Sequence, residues 1–368
     1  MVFWEEFVTT TKSANVRKSV LDRLEGGYAL MLDRDEQGPF LFVGSESRGG
    51  ESRVIPLDGG SPRTVTTEVG GMMHILPAPG RPGCYVSAMG MYAPFIGQKA
   101  GVYMIEASND PAAQWKVEHL FDMPFAHRLG FLEVNSRTYL FVATVSKNKE
   151  NPDDWSQPGE LYVVDFDDAL QSNEWKPEPV SEAIYRNHGM WSGALDGRHV
   201  LLMSGAEGMF EIKPDASSKS GFALEPIIEE EISEMVAADV DGDGRDEFVA
   251  IEPFHGHRLR VYKRDGNERW TPAWETTDLS FGHGLNVVSW GDRPLVVVGN
   301  RRSGNELLGF DFAGLPETVV RYVFDEGVGP TQIEPSGFET REMASFVSCN
   351  QGAGEVSLYE FPTSERSG

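Results

Sequence analysis

Short runs of β-branched and aromatic residues recur along the chain between polar stretches, and almost no segment keeps the apolar spacing of a helix. Runs of this length and makeup are typical of β-strands. The clearest read PFLFVGS, TYLFVATV, GELYVVDF, HVLLMSG, EFVAIEP, PLVVVGN and EVSLYEF. The pattern therefore predicts an all-β protein.

The strand runs repeat as a unit of three strands followed by a longer and more polar fourth stretch. In one unit RLGFLEV, TYLFVATV and ELYVVDF precede a fourth stretch at residues 175–185. The units begin near Gly27, His74, His127, His188, Glu234, His283 and Thr331, so successive starts lie between 46 and 61 residues apart. A blade of a β-propeller holds four strands in roughly 40 to 50 residues. Seven units predict a seven-bladed β-propeller, and an open β-solenoid with shorter rungs suits this spacing poorly.

The last unit holds only three strands, so its fourth strand is expected to come from the other end of the chain. Residues 15–24 precede the first unit, and a strand there closes the propeller and removes open sheet edges. We therefore expect an N-terminal extension over residues 1–14, a single seven-bladed β-propeller over residues 15–361 and a tail over residues 362–368.

Charge and composition narrow the class of partner. The chain of 368 residues carries 32 lysines and arginines against 57 aspartates and glutamates, a formal net charge of −25. Such a protein repels nucleic acid and anionic membranes, whereas cations and neutral or cationic small molecules meet no such barrier. The sequence shows neither a membrane span nor a signal peptide, so we expect a cytoplasmic protein. Cys84 and Cys349 are expected to be buried, reduced thiols.

The clearest chemical motif is an acidic loop, DVDGDGRDE, at residues 239–247. Carboxylates at the first, third and fifth positions, a glycine at the sixth and a main-chain carbonyl at the seventh suit Ca²⁺ coordination. These ligands are Asp239, Asp241, Asp243 and the main-chain carbonyl of Arg245. Both flanks are strands and the twelfth position is alanine, which excludes an EF-hand. We expect Ca²⁺ or Mg²⁺ here as an ion that stabilises a turn.

The acidic loop also carries a family resemblance. The segment DVDGDGRDEF followed by VAIEPF resembles the FG-GAP or VCBS type of propeller repeat, in which an acidic loop joins the first two strands of a blade. The resemblance implies that Glu247 completes the ligands of the ion. One blade carries the motif itself, and the others match by their strand plan.

Four histidines share one position of the repeat. His74, His127, His188 and His283 each stand just before the first strand of a unit, and Glu234 takes this position in the fifth unit. First strands line the central channel of a propeller, so these side chains are expected to converge near its mouth. Any one histidine could instead hydrogen-bond its own turn. Four at one register favour a shared site.

A loop of the fifth unit adds two more imidazoles, His255 and His257, to the same predicted face. Imidazole and carboxylate together suit Zn²⁺, Mn²⁺ or Fe²⁺. The candidate metal ligands are His74, His188, Glu234, His255 and His257, and the candidate acids or bases are His127, His283 and Tyr92. The division between ligands and acid–base residues stays open.

The predicted pocket points to sugar chemistry, with Phe95, Trp155 and Trp191 near the histidines. The chain has no GxSxG elbow, no phosphate loop, no HExxH motif and no dinucleotide fingerprint. The arrangement resembles metal-dependent sugar-processing propellers, namely the propeller part of aldos-2-ulose dehydratases and the oligogalacturonide lyases. This resemblance implies a metal-dependent carbohydrate lyase or dehydratase that works by β-elimination or isomerisation at a keto or uronic sugar.

Two other classes stay open. A non-enzymatic propeller would bind a glycan or a protein partner and use calcium only structurally, and a hydrolase would use the metal to activate water. The insert loops differ from blade to blade, whereas a lectin usually repeats its site on several blades. We therefore favour an enzyme.

Overall fold

The computed structural model describes residues 8–36, 38–108, 110 and 112–364, with the main chain alone for Val8. Within these residues almost all regular structure is β-strand, arranged in seven sheets. The prediction of a seven-bladed β-propeller is confirmed. In the part of the chain that is described, no helix is long and apolar enough to cross a membrane.

The chain begins with two strands, β1 (Val8–Ser13) and β2 (Arg17–Arg23), that join sheets formed much later in the sequence. Four antiparallel sheets follow. They are β3 (Gly27–Asp35), β4 (Gly38–Ser45), β5 (Ser52–Pro56) and β6 (Arg63–Thr66); β7 (His74–Pro77), β8 (Cys84–Met89), β9 (Gly101–Glu106) and β10 (Lys116–Asp122); β11 (Ala126–Val134), β12 (Arg137–Thr144), β13 (Gly159–Asp165) and β14 (Glu178–Ile184); β15 (Gly189–Leu195), β16 (Arg198–Gly205), β17 (Gly208–Pro214) and β18 (Phe222–Ile228).

Three more sheets complete the chain. They are β19 (Glu234–Ala238), β20 (Glu247–Glu252), β21 (Arg258–Arg264) and β22 (Trp270–Thr276); β23 (Gly282–Trp290), β24 (Arg293–Asn300), β25 (Leu307–Gly314) and β26 (Thr318–Asp325), joined by β1; and β27 (Pro330–Pro335), β28 (Met343–Asn350) and β29 (Glu355–Pro362), joined by β2. Each first strand begins within one residue of its predicted start.

The described chain divides into two compact units. The four-blade unit comprises Glu25–Gly193 and His199–Ser233. The three-blade unit takes in the described residues of Met1–Leu24, Ala194–Arg198 and Glu234–Gly368. Within the four-blade unit β7 contacts both β3 and β11, and within the three-blade unit β23 contacts both β19 and β27. First strands of successive sheets therefore lie side by side, which brings residues at their starts together within each unit.

The N-terminal strand closes the last sheet as predicted. β2 pairs antiparallel with β29, with Arg17 opposite Glu360 and Arg23 opposite Glu355. β1 pairs in parallel with β26 and adds a fifth strand to the sixth sheet. Part of the extension expected over residues 1–14 is thus a strand, while residues 1–7, and residues 365–368 of the expected tail, lie outside the described chain.

Aromatic rings pack against one another in the interior of each unit. In the four-blade unit the Trp115 and Tyr85 rings stack with centroids 5.6 Å apart, and both side chains are buried. In the three-blade unit Trp290 packs edge-on against Tyr322 at 5.0 Å. Burying a large apolar side chain stabilises a fold by about 1.5 to 3 kcal/mol. Both cysteines are buried thiols, as expected.

A short helix, α1 (Phe166–Ser172), departs from the strand pattern. The run ELYVVDF predicts a strand through Phe166, but the side chain of Asp165 accepts a hydrogen bond of 3.1 Å from Asp168 N and caps a helix at that point. Asn173 ends the helix in the left-handed conformation. The cap explains why β13 stops one residue early.

Candidate functional site

Two predicted site histidines lie against each other in the four-blade unit. His127 and His188 are 1% and 0% exposed, and their ring centroids are 4.5 Å apart. The Tyr28 hydroxyl lies 3.2 Å from His127 Nε2. We call this group the Tyr28–His127–His188 cluster. Its residues lie in, or directly before, the first strands of three sheets of the same unit. Buried imidazoles so close together suit proton transfer or metal binding.

The hydrogen bond of His188 fixes which of its ring nitrogens carries the proton. His188 Nδ1 lies 3.2 Å from the Ser233 carbonyl oxygen. Since a carbonyl only accepts, Nδ1 donates the proton, and the neutral ring keeps its lone pair on Nε2. Histidines that bind metals usually donate their other N–H to a carbonyl or carboxylate in this way. His188 therefore has the electronic form of a ligand or a base.

His74 has the opposite form. The Leu129 main-chain N–H donates to His74 Nδ1 at 3.0 Å, so the neutral ring carries its proton on Nε2. The two predicted ligands of the four-blade unit thus differ: Nε2 of His188 offers a lone pair, whereas Nε2 of His74 offers a proton.

A β-bulge recurs at the start of first strands and sets the direction of the site residues. The register of the first strand against the second shifts across Tyr28, His127 and Thr331, and between Gly282 and Leu285 around His283. A bulge turns a side chain out of the regular alternation of a strand. Tyr28 therefore holds, in the first blade, the position that His127 holds in the third. The histidine pattern gave no indication of Tyr28.

In the three-blade unit His283 repeats the arrangement of His188. It is 1% exposed, and its Nδ1 lies 2.8 Å from the Thr331 carbonyl oxygen, which leaves the lone pair on Nε2. The half-buried His255 ring lies 5.2 Å from the His283 ring and 4.4 Å from the Phe281 ring, centroid to centroid. His257 is exposed. The unit thus pairs His255, and not His257, with His283.

Glu234 is half-buried and opens β19, where it pairs with Ile251 of β20. A buried charge network lies at the same end of β20, at Glu252, the residue after Ile251 and the last before the loop that carries His255. The Tyr262 hydroxyl donates to Glu252 Oε1 at 2.5 Å, and Arg260 Nη1 lies 3.1 Å from Glu252 Oε2. Glu252 is therefore an anchored carboxylate that holds the start of this loop.

The acidic loop forms the turn that its sequence predicts. The two oxygens of Asp239 accept from Gly242 N at 2.9 Å and from Gly244 N at 3.0 Å, and both glycines have positive φ, which favours glycine. One carboxylate oxygen from each of Asp239, Asp241 and Glu247 lies within 4.8 Å of the others. Exposed Asp243 also turns its carboxylate inward. The donors fit a small cation.

An internal cation already lies among these carboxylates. Lys263 Nζ, from β21, binds Asp241 Oδ2 and lies 2.7 Å from Asp243 Oδ2 and 3.3 Å from Glu247 Oε1. Burial lowers the pKa of Lys263, but hydrogen bonds to Asp241 and Asp243 outweigh it, so the pKa is raised overall. Burial and the charge of Asp241 raise the pKa of Glu247 to about 7. The sequence motif did not reveal this lysine. The side chain of Arg245 pairs with Glu268 and leaves only its main chain to the loop.

Tyr92, the predicted alternative base, is held by its surroundings in the four-blade unit. Its hydroxyl donates to the Val69 carbonyl at 2.9 Å, and the Arg48 guanidinium lies 4.8 Å from its ring centroid. Tyr28, by contrast, presents its hydroxyl to His127. Of these two tyrosines, Tyr28 therefore has its hydroxyl beside a predicted site histidine.

No protein-family model matches the chain. No curated protein matches it either. Among solved structures, a luciferin-regenerating enzyme is 14% identical over 95% of each chain, with a TM-score of 0.48. The soluble aldose sugar dehydrogenase of Escherichia coli is 13% identical over 94% of this chain and 99% of its own, with a TM-score of 0.49. The AfRom2 CNH domain is 11% identical over 94% and 99%, with a TM-score of 0.53, and this likeness concerns the fold alone.

Proposed function

We propose that the protein is a metal-dependent enzyme acting on a small carbohydrate, a carbon–oxygen lyase or dehydratase that eliminates or isomerises next to a carbonyl group. The Tyr28–His127–His188 cluster carries the proposal. It sets an imidazole with its lone pair on Nε2 against a second buried imidazole that has a hydroxyl within hydrogen-bond distance. A ligand beside an acid–base residue is what such a reaction requires.

The donor set fits a divalent transition metal such as Zn²⁺ or Mn²⁺. His188 and His283 both direct Nδ1 at a carbonyl oxygen, the outer contact typical of ligating histidines. His255 and Glu234 are the next candidates, and His74 and His257 suit the role less because of the Nε2 proton of one and the exposure of the other. When bound, the metal would polarise a sugar carbonyl. That one ion takes ligands from both units remains a prediction from the shared position of the histidines in the repeat.

The side chains of the cluster have definite tasks in this proposal. His127 accepts the proton from the carbon next to the carbonyl group, and the Tyr28 hydroxyl keeps the ring oriented. The protonated imidazole then returns the proton to the departing hydroxyl, which leaves as water. His283 and Tyr92 remain alternative acid–base residues.

The sugar class rests on the resemblance to the propeller part of aldos-2-ulose dehydratase and on half-exposed aromatic rings. Phe95, Trp155 and Trp191 each leave part of a ring accessible in the four-blade unit. Such rings stack on the apolar faces of sugars.

In the acidic loop we propose Ca²⁺ or Mg²⁺ as a structural ion. The resemblance to the FG-GAP or VCBS repeat supports this ion, and Lys263 competes with it for the carboxylates.

Elemental analysis and alanine variants test the proposal. The purified protein should contain a transition metal and should eliminate or isomerise at least one member of a panel of keto sugars and oligogalacturonides. His188→Ala should lose metal and activity together, whereas His127→Ala should keep the metal and lose turnover. His199→Ala, which alters an exposed histidine bonded to Ser192, should keep both.

Other outcomes decide between the alternatives. Calcium as the sole bound metal, together with tight glycan binding and no turnover, would indicate a binding module and not an enzyme. Products that have gained water across a cleaved bond and carry no new carbon–carbon double bond would indicate a hydrolase. Loss of the same single equivalent of metal in His188→Ala and in His283→Ala would support one shared ion.

A further inference from the structure

One lysine outside the proposed metal site is buried within a surface loop of the four-blade unit. Lys149 lies in the insert between β12 and β13 and is 3% exposed, although its neighbours Lys147, Asn148 and Glu150 are exposed. Among the described residues its Nζ has no hydrogen-bond partner. A buried ammonium without a hydrogen bond is costly, so this position favours the neutral amine.

Two aromatic rings enclose the amine. Lys149 Nζ lies 3.1 Å from the centroid of the Trp155 ring and 4.9 Å from that of the Phe95 ring. The rings meet edge to face with centroids 5.1 Å apart, and both are only half-buried. Gln98 Nε2 donates to the Lys149 carbonyl at 3.3 Å and ties the two loops together. The two half-buried rings therefore cover the buried amine.

The charges around Lys149 are few and lie on its own loop. Burial lowers the pKa of Lys149 to about 8, and the carboxylates of Asp154 and Asp153 act in the opposite direction. The segment that provides Phe95 and Gln98 brings neutral side chains to the contact. At pH 7 a pKa of about 8 leaves about a tenth of Lys149 unprotonated, far more than for a lysine of ordinary pKa, and the unprotonated form is the nucleophilic form of an amine.

We propose that Lys149 is a reactive amine that forms a Schiff base with a small aldehyde or ketone, the open-chain form of a reducing sugar included. The neutral Nζ attacks the carbonyl carbon and forms a C–N bond while the carbonyl oxygen takes up a proton. The carbinolamine then loses its hydroxyl as water, and the nitrogen loses its remaining proton to give the neutral imine. The overall change is amine plus carbonyl to imine plus water. The reaction needs no metal, although the site shares Phe95 and Trp155 with the rings proposed above to stack on a sugar.

Lys147 provides a control two residues away on the same loop. It is exposed, and side-chain hydrogen bonds to Glu160 and Glu182 raise its pKa. Exposure alone would make Lys147 the more reactive amine, whereas the proposal makes Lys149 the more reactive one at neutral pH. The two lysines therefore separate accessibility from chemical activation.

The test is reductive trapping on the full-length protein in the presence of a chelator. Glyceraldehyde and cyanoborohydride are added, and adducts are located by peptide mass spectrometry. We expect Lys149 to be modified at least about tenfold faster than Lys147 at neutral pH, with a half-maximal rate near the pKa of about 8. Lys149→Arg and Lys149→Met should abolish this adduct.

Labelling in urea removes the effect of the fold, so both lysines should then react alike. A native protein labelled at Lys147 and not at Lys149 would overturn the proposal, as would equal rates at the two residues. Because metal is chelated throughout, this result is independent of whether the proposed lyase activity is found.

Discussion

Two partly enclosed lysines show how differently the two units treat the same side chain. Lys263 lies among three carboxylates of the acidic loop, and its pKa is raised. Lys149 lies between two aromatic rings, and its pKa is lowered to about 8. Burial lowers the pKa in both cases, so nearby counter-charges decide the direction. Lys263 is therefore suited to holding a loop, and Lys149 to reacting.

The largest expected effect comes from removing the first of these lysines. Lys263→Met leaves Asp241, Asp243 and the buried Glu247 facing one another without a cation. We expect a loss of about 2 to 3 kcal/mol in the free energy of unfolding, measured by urea titration in EDTA. Calcium should restore more stability to this variant than to the wild type, because there the ion must displace an ammonium.

A matched control distinguishes this cluster from an ordinary surface ion pair. Lys213 on β17 pairs with Glu225 at 2.5 Å, but its side chain is 39% exposed. Lys213→Met should cost less than about 1 kcal/mol. If Lys263→Met were as stable as the wild type in EDTA, the acidic loop would not depend on its lysine. Lys263 would then have no stabilising role to set against the reactivity of Lys149.

Replacing the second lysine should change the free energy of unfolding in the opposite direction. Lys149→Met removes a buried amine and keeps an unbranched side chain between the rings, so the variant should be more stable than the wild type at neutral pH by about 1 to 2 kcal/mol. The folded pKa of about 8 lies below the ordinary value of 10.5. Between these values the unfolded chain holds more protons, so wild-type stability rises with pH and the gap should shrink.

Urea titrations across this pH range measure the gap directly. Lys147→Met changes an exposed side chain of the same loop and should show no comparable gain. A gap between Lys149→Met and the wild type that stayed constant with pH would mean that Lys149 keeps its ordinary pKa.

The sequence predicted the blades well because their signals are local. Strand runs and the blade repeat placed all seven first strands within one residue, and the incomplete last blade predicted the closure by β2. β1 was not predicted as a strand, because its sequence VTTTKS is polar and its parallel pairing with β26 joins distant parts of the chain. Closure could be predicted from a missing strand, whereas a fifth strand had no such signal.

The candidate site was predictable only in part, for a related reason. The register selected His127 and His188, which do contact each other. It could not show that the Leu129 N–H donates to His74 Nδ1 and so leaves the ring proton on Nε2, since that contact depends on the neighbouring first strand. Lys149 carried no motif, and its burial depends on Phe95, which lies 54 residues earlier (149 less 95) in another blade.

The smallest and most discriminating test concerns what the Trp155 ring does for Lys149. The ring covers the amine from water, which lowers the pKa, and its face attracts an ammonium, which raises the pKa. Trp155→Leu keeps an apolar cover and removes the ring face, so the pKa of Lys149 should fall by about half a unit. Trp155→Ala admits water, so the pKa of Lys149 should rise towards its ordinary value.

The pH profile of reductive labelling at Lys149 measures both shifts. Phe95→Leu alters the more distant ring and should move the profile less. Shifts of the same sign in the leucine and alanine variants would show that cover and charge attraction are not the two opposing effects at this amine.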